Sequence, residues 1–261
     1  MSKSHKRPAL PAGWDAVAAW YDGWMGAEGG EHHRGVAIPA VLALAAIQPG
    51  EHVLDVGAGQ GVLAPHIARA GGVYTGVDVS KRLLRLARQR HTSLGRFLLG
   101  DARKLATITG LQAEAFDAVI YLLSIQDMHP LEAVLASASW ALKPGGRLVI
   151  MMTHPCFRIP RQSGWNWDEG RKLRYRRIDR YLTPLSVPMK AYPGEQRGTT
   201  ISFHRPLEQY VNGLAACGLL VDSMQEIPMH NQEAATKADT RADAEIPLFL
   251  ALRARKLASS G

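Results

Sequence analysis

The sequence has few cysteines and no long apolar run, and each shortage excludes a class of protein. Cys156 and Cys217 are its only cysteines and form no CxxC pair, which excludes a disulfide framework and a structural zinc site. The longest apolar stretch, residues 36–47, contains Pro39 and is shorter than the roughly 20 residues that span a bilayer. We therefore expect no bound metal and no membrane partner.

The amino-terminal residues are basic, but no apolar segment follows them at the distance expected of a secretory signal. We therefore expect a cytoplasmic protein. Because 46% of the 261 residues are hydrophobic and only 21% are charged, a disordered chain is excluded. We predict one domain over residues 1–261. The sequence leaves the oligomeric state open, a homodimer included.

Short apolar, β-branched runs alternate with helical patterns in the middle of the chain. The predicted strands are 52–56, 73–78, 97–99, 118–123 and 147–153. This alternation predicts right-handed βαβ units and hence an α/β fold, a doubly wound Rossmann-like sheet that is mostly parallel.

The single domain divides into four parts. They are an N-terminal helical lid, a sheet core, an inserted substrate cap and the last part of the sheet, at residues 1–48, 49–153, 154–205 and 206–261. In the cap, the β-like stretches 174–182 and 199–204 are predicted to pair. A polar loop is expected between the last two strands.

A glycine-rich turn follows the first strand, with Gly57, Gly59 and Gly61 in GxGxG spacing. Glycines let the backbone approach a ligand closely, and the following helix offers free N–H groups. Asp55 lies two residues before the first glycine, where it would repel a pyrophosphate but suit a ligand that carries an ammonium group. This arrangement argues against a dinucleotide site, which has GxGxxG spacing.

Two further acids end the next two strands. Asp78, 21 residues beyond Gly57, is placed where a carboxylate can accept both hydroxyls of a ribose, and Asp101 is placed where it can bond the exocyclic amine of an adenine. Each Asp taken alone could be a helix cap or a turn residue. Three acids at successive strand ends favour one ligand site.

Several ordered motifs together resemble those of the class I S-adenosylmethionine-dependent methyltransferases of the broad type-11 group, which includes quinone-biosynthesis enzymes. They are residues 53–61, 76–80, 100–102, 116–119 and 142–146. The resemblance covers about residues 50 to 152. It implies a seven-stranded sheet with an antiparallel last strand and S-adenosylmethionine as cofactor.

The same resemblance implies which residues hold the cofactor. The glycine turn would lie under the methionine portion, Asp78 on the ribose and Asp101 at the adenine, with Leu122 and Gln126 beside them and Tyr21 and Arg34 closing over the carboxylate. The implied cofactor-binding residues are Tyr21, Arg34, Asp55, Gly57, Ala58, Gly59, Gly61, Asp78, Val79, Asp101, Ala102, Leu122 and Gln126. The resemblance does not identify the substrate.

Methyl transfer needs a general base only if the acceptor atom is protonated. The candidates at the carboxyl edge of the sheet are Asp127 and His129 after the fourth strand and His154 after the fifth. The two histidines rank first because imidazole titrates near neutral pH. Each of the three has a structural alternative as a cap, loop or turn residue.

Residues 158–180 hold eight basic and three acidic side chains and account for most of the net charge of +8. Interleaved with Trp165 and Trp167, they could bind an anionic aromatic metabolite, grip an RNA backbone, or form a solvated surface. We interpret the chain as a methyltransferase acting on oxygen or nitrogen of a small aromatic or acidic molecule. An RNA-modifying methyltransferase and a non-catalytic cofactor-binding scaffold are the alternatives.

Overall fold

The computed structural model describes residues 13–190, 199–229 and 236–257. The first twelve residues of the predicted lid lie outside them. The strands are β1 His52–Val56, β2 Val73–Asp78, β3 Gly95–Leu99, β4 Phe116–Leu122, β5 Leu142–Thr153, β6 Ser163–Asp168, β7 Leu173–Ile178, β8 Leu185–Lys190, β9 Thr199–His204, β10 Leu219–Pro228 and β11 Pro247–Lys256. The α-helices are α1 Trp14–Met25, α2 Ile38–Ala45, α3 Ala64–Arg69, α4 Lys81–His91, α5 Leu131–Ala141, α6 Leu207–Ala216 and α7 Lys237–Glu245.

Seven strands form one sheet in the order β10-β11-β5-β4-β1-β2-β3. Strands β1 to β5 pair in parallel, and β11 runs antiparallel to both β5 and β10. The predicted doubly wound sheet with an antiparallel last strand is confirmed. Because the strand order reverses between β1 and β4, a crevice forms outside the carboxyl ends of those strands.

Helices cover both faces of the sheet and bury two apolar cores. Leu84 from α4 and Ile67 from α3 pack on one face, and Leu135 from α5 and Leu214 from α6 pack on the other. Helix α4 begins directly after Ser80, because the hydroxyl of Ser80 caps it by accepting a hydrogen bond from the backbone N–H of Leu83. These layers hold the strand ends in a fixed relative position.

The inserted cap differs from the prediction. Residues 174–182 and 199–204 do not pair with each other; instead β7 pairs with β6 and β9 pairs with β8, in two separate hairpins. Each stretch pairs instead with an antiparallel strand close to it in sequence, which costs less loop-closure entropy than the predicted pairing across residues 183–198.

The predicted polar loop between the last two strands contains α7. Few apolar residues mark this helix, but the Thr236 hydroxyl caps it by accepting from the backbone N–H of Asp239. Arg174 of β7 pairs with Asp239 at 2.9 Å, which fixes the helix against the first hairpin.

Helix α1 is tied to α4 by its acidic residues. Asp15 accepts hydrogen bonds from the Ser80 hydroxyl at 2.5 Å and from the Arg82 backbone, and Asp22 pairs with Arg90. The aromatic side of α1 is thereby held near the carboxyl edge of the sheet. Among residues 13–190, 199–229 and 236–257, no helix combines the length and the apolar character that a bilayer crossing requires.

Candidate functional site

A cavity of about 430 Å³ lies at the carboxyl ends of β1 to β4, which is where ligands bind in a doubly wound sheet. Its volume is typical of small-molecule sites. Ten predicted site residues line it: Tyr21, Gly57, Gly59, Asp78, Val79, Asp101, Ala102, Leu122, Asp127 and His129. A second cavity of about 20 Å³ shares Gly57 and Gly59 with the first and adds Asp55 and Ala58.

The larger cavity has two chemically different halves. The first, here called the strand-end half, consists of Gly57, Gly59, Asp78 and Asp101. The second, here called the hairpin half, consists of Asp127, His129, Thr200, Ile201 and Phe203. Four predicted residues, Arg34, Gly61, Gln126 and His154, are not among the described residues that line either cavity.

Two positions of the glycine turn require glycine, because each combines a positive φ with close packing against a neighbouring side chain. Gly57 has a φ of +77°, and a Cβ there would lie 2.6 Å from the Cβ of Ser124, so the turn and the end of β4 approach too closely for a side chain. Gly61 has a φ of +81°, and a Cβ there would meet the Phe97 ring at 2.9 Å. Packing against the sheet, rather than room for a ligand, therefore accounts for Gly61.

Asp78 is held rigidly by backbone donors. Its two carboxylate oxygens accept from the N–H groups of Gly59 and Ser80, each at 2.8 Å. Burial raises the pKa of Asp78, and the backbone donors oppose that rise. A carboxylate has about four lone-pair sites, so these backbone donors do not saturate Asp78, and it can still accept from a ligand hydroxyl.

Asp101 is already engaged by a neighbouring cation. Its oxygens accept from the Arg103 guanidinium, with a closest distance of 2.5 Å between Nη2 and Oδ2, and this pair lowers the pKa of Asp101. Arg103 also donates to the His129 carbonyl at 3.3 Å. A ligand amine at Asp101 would therefore share this carboxylate with Arg103 or displace its side chain.

The smaller cavity has two acceptors and one buried imidazole. Asp55 accepts from the Tyr74 hydroxyl at 2.7 Å, and burial raises the pKa of Asp55 to about 7. Gln60 donates its amide N–H to the carbonyl of Gly26, and its Oε1 is buried without a hydrogen-bond partner among the described residues. Burial lowers the pKa of His33 to about 4, so this imidazole is neutral at pH 7.

Two predicted residues turn away from the cavities. Residues His33–Ala37 form one π-helical turn that presents His33, and not Arg34, to the smaller cavity. The Arg34 Nη1 donates instead to the carbonyl of Gly29 at 2.6 Å. Gln126 likewise donates to the carbonyl of Leu123 at 2.7 Å.

Asp127 is the carboxylate of the hairpin half. Its side chain touches the cavity but is otherwise surrounded by protein, and this desolvation raises the pKa of Asp127 to about 7. A hydrogen bond with Ser202 and the positive charge of Arg205 oppose the rise. A carboxyl group that titrates near neutral pH in a cavity can act as a general base.

His129 and His154 have different surroundings, although both were predicted from the sequence as the first candidates for a general base. The His129 ring stacks on Phe203 with centroids 4.8 Å apart and faces the cavity. His154 is only 1% exposed, accepts from the Cys156 backbone through Nδ1, and contacts Glu226 through Nε2 at 2.9 Å. Both ring nitrogens of His154 are therefore already engaged by the protein.

The basic segment lies away from the cavity. Arg158, Arg174 and Arg176 surround the ring of Trp165, with guanidinium carbons 5.2, 4.2 and 5.3 Å from its centroid. None of these arginines is among the described residues that line either cavity, whereas the less charged hairpin β8–β9 contributes Thr200, Ile201 and Phe203. The charge-rich part of the cap is therefore not the part that faces the site.

Several residues that line the cavities were not predicted from the sequence. They are His33, Gln60, Arg103, Ser124, Met128, Thr200, Ile201 and Phe203. Gln60 and Met128 lie next to predicted residues and Ser124 lies two positions from Leu122, so proximity along the sequence could have indicated them. The residues from β9 have no motif and reach the cavity only through tertiary packing.

The chain is similar to known methyltransferases in sequence and in fold. Residues 54–150 match the family model described as a methyltransferase domain. The chain is similar to a demethylmenaquinone methyltransferase of Tropheryma whipplei, 35% identical over 117 residues, which are 44% of this chain and 48% of the relative. It is also similar to a ubiquinone biosynthesis O-methyltransferase of Idiomarina loihiensis, 33% identical over 38% of this chain and 41% of the relative. The chain thus spans about half the length of the curated relatives it matches.

The fold is shared more widely than the sequence. An S-adenosylmethionine-dependent methyltransferase from Mesorhizobium loti superposes with a TM-score of 0.69 over 85% of this chain and 99% of that chain, at 24% identity. The matched residues 54–150 contain the glycine turn, Asp78 and Asp101, while both cap hairpins lie outside them. Residues 54–150 therefore match the methyltransferase domain family, and the chain has the fold of the class I S-adenosylmethionine-dependent methyltransferases.

Proposed function

We propose that the protein is an S-adenosylmethionine-dependent methyltransferase that methylates oxygen or nitrogen of a small aromatic molecule. The observation that carries the proposal is one cavity with carboxylates and glycine backbone in its strand-end half and aromatic rings with one carboxylate of raised pKa in its hairpin half. The sequence relatives named above support methylation of small molecules.

The strand-end half fits the cofactor in shape and in charge. Gly57 and Gly59 leave the turn without side chains, and the lone pairs of Asp78 suit the ribose hydroxyls. In the smaller cavity, Asp55 and the unpartnered Oε1 of Gln60 are two acceptors that suit the ammonium group of an amino acid. Carboxylates near the cavity also favour a positively charged sulfonium.

When bound, S-adenosylmethionine supplies an activated methyl group, so the protein has to position the acceptor and exclude water. His129, Phe203 and Ile201 offer flat, apolar surface for an aromatic ring. Asp127 is a group in the hairpin half that can accept the proton of a hydroxyl or an amine. We rank it above His154, which lies outside the cavity, and above His129, whose ring stacks on Phe203 and whose Nδ1 lies 3.5 Å from Nη2 of Arg205.

The arginines of the cap were candidates to bind an acidic substrate, but they lie around Trp165 rather than at the cavity. The structure therefore gives no support to an acidic substrate. Arg103 lines the cavity but is paired with Asp101. A neutral aromatic acceptor is therefore proposed.

Ligand-induced stabilisation tests the cofactor assignment. S-adenosylmethionine and S-adenosylhomocysteine are expected to raise the Tm of the protein, while NAD is expected to leave it unchanged. Failure of both sulfur compounds to raise the Tm would overturn the assignment.

Labelled cofactor tests the substrate class. Protein incubated with methyl-labelled S-adenosylmethionine is expected to label a small-molecule extract and not bulk RNA. Label in RNA alone would establish the RNA-modifying alternative, and label in neither, with cofactor still bound, would favour the non-catalytic scaffold.

A further inference from the structure

Arg205 is a buried arginine next to the hairpin half. It directly follows β9, is 4% exposed, and has no carboxylate within 4 Å among the described residues. Burying an unpaired guanidinium is costly, since a charge in a medium of low dielectric constant lacks the stabilisation that water provides. The position of Arg205 therefore calls for a compensating interaction.

The contacts of Arg205 are concentrated on the turn that carries Asp127. Its Nη2 donates to the Met128 carbonyl at 2.5 Å and lies 3.5 Å from Nδ1 of His129. Its guanidinium carbon lies 5.3 Å from the Phe203 ring centroid and 6.0 Å from that of Tyr210. Arg205 thus touches the residue after Asp127 and both members of the His129–Phe203 stack.

We propose that Arg205 is a positioning residue of this site, which holds the turn of residues 127–129 from behind the cavity and supplies the positive charge that favours the Asp127 carboxylate. This role rests on the proposed function, because Arg205 would be the cation that stabilises the negative charge of the proposed proton acceptor. Arg205 and Asp127 form no direct ion pair, so the stabilisation acts through space.

The other groups around Asp127 do not supply this charge. Ser202 from β9 is a neutral hydrogen-bond partner, and Tyr21 from α1 and Tyr210 from α6 are phenols whose pKa values burial raises. His129 is a further titratable group and lies on the same turn as Asp127. Strand β5 also packs against this turn, and residues 148–153 contain no ionisable side chain. Arg103 also reaches this turn, where it donates to the His129 carbonyl at 3.3 Å, but its guanidinium is paired with Asp101. Arg205 has no such carboxylate partner among the described residues, and its charge acts to lower the pKa of Asp127.

The test measures the titration of Asp127 directly, without cofactor or acceptor. Protein labelled with ¹³C at aspartate carboxyl carbons is titrated by NMR, and the Asp127→Asn variant identifies the Asp127 resonance. In Arg205→Met the midpoint of this titration is expected to rise by about 1 pH unit or more, the effect of removing a nearby opposite charge. In Arg205→Lys, which keeps the charge, the midpoint is expected to stay close to that of the wild type.

Arg176→Met is the matched control. Arg176 is also partly buried and donates to a backbone carbonyl, that of Phe157, but it has no hydrogen bond to the turn of residues 127–129. Its removal is expected to leave the Asp127 midpoint unchanged. An unchanged midpoint in folded Arg205→Met, an equal rise in Arg205→Lys, or an equal rise in Arg176→Met would each overturn the proposal.

A second measurement needs no Arg205 variant and therefore holds even if Arg205→Met does not fold. In wild-type protein the ¹⁵Nε resonance of Arg205 is expected to change at the Asp127 midpoint, and this step is expected to vanish in Asp127→Asn. A pH-independent Arg205 resonance would contradict the proposal. Because no ligand is added, these results stand apart from any failure to bind S-adenosylmethionine.

Discussion

The strand-end half and the hairpin half of the cavity are built by different means. In the strand-end half, backbone N–H groups fix Asp78, and Gly57 lies where no side chain fits. In the hairpin half, side chains from the turn after β4 and from β9 meet by tertiary packing, as in the stack of His129 on Phe203. Under the proposed function, the cofactor would bind where backbone contacts fix the site, and the acceptor would be selected by side chains that pack together from distant parts of the chain.

Removing the hairpin-half carboxylate should have the largest effect. Asp127→Asn is expected to lower the rate of methyl transfer by about 10²- to 10⁴-fold, the usual contribution of a general base. S-adenosylhomocysteine affinity is expected to change by less than about twofold, a difference of roughly 0.4 kcal/mol. Single-turnover kinetics and calorimetric titration measure the two quantities, and equal losses in both would erase the distinction between the halves.

Filling the strand-end half should have the opposite pattern. Gly57→Ala places a Cβ within 2.6 Å of Ser124 and is expected to weaken S-adenosylhomocysteine binding by about tenfold or more, or 1.4 kcal/mol. Gly145→Ala is the matched control, because Gly145 has a similar φ of +74° and nothing within 4 Å of its would-be Cβ. Calorimetric titration of both variants separates the close contact from backbone strain, and unchanged binding in Gly57→Ala would contradict the assignment.

The raised pKa of Asp127 has a consequence for stability. Its folded-state pKa of about 7 lies above the usual unfolded value of about 3.9, so between these values the folded protein holds a proton that the unfolded chain releases. The wild type should therefore lose stability from this group as the pH rises from 4 to 7. Asp127→Asn cannot titrate and should gain in stability relative to the wild type by at most about 1.4 kcal/mol per pH unit.

Denaturant unfolding of both proteins at pH 5, 6, 7 and 8 measures this difference in free energy. It is expected to widen up to about pH 7 and then to level off. A pH-independent difference would show that Asp127 titrates alike in the folded and unfolded states.

The smallest effect is expected in the basic hairpin. Arg171, Lys172 and Arg177 are exposed, and Lys172 and Arg177 pair with Glu169 and Asp179 of the same hairpin. Replacing all three by Ser is expected to change both cofactor affinity and turnover by less than about twofold, since surface ion pairs contribute little. A marked loss of turnover would show that the basic segment of residues 158–180 takes part in substrate binding.

The strand-end half could be predicted from the sequence because its signals are local. Strands β1 and β2 have the predicted bounds, and their carboxyl ends place the glycine turn and Asp78 at the cavity. The strands, the glycine turn and the position of Asp78 each depend on a short apolar run, a turn residue or a helix cap. Such signals extend over about ten residues of sequence.

The hairpin half could not be predicted in the same way. Phe203 and Arg205 reach the site because β9 pairs with β8 and packs against the turn after β4, and no local pattern specifies that docking. The charge of residues 158–180 was visible in the sequence, but its direction was not, because Trp165 and Asp239 bind arginines on the side away from the cavity. Arg34 was predicted to reach the site, but the π-helical turn of residues 33–37 places His33 at the smaller cavity instead.

A crystal structure of the protein with S-adenosylhomocysteine would show how a ligand uses the two halves of the cavity. We expect the ribose hydroxyls to lie within hydrogen-bond distance of the Asp78 carboxylate and the sulfur to face the space between Asp127 and Phe203. A ligand whose ribose contacts neither oxygen of Asp78, or whose sulfur points away from the hairpin half, would contradict this expectation.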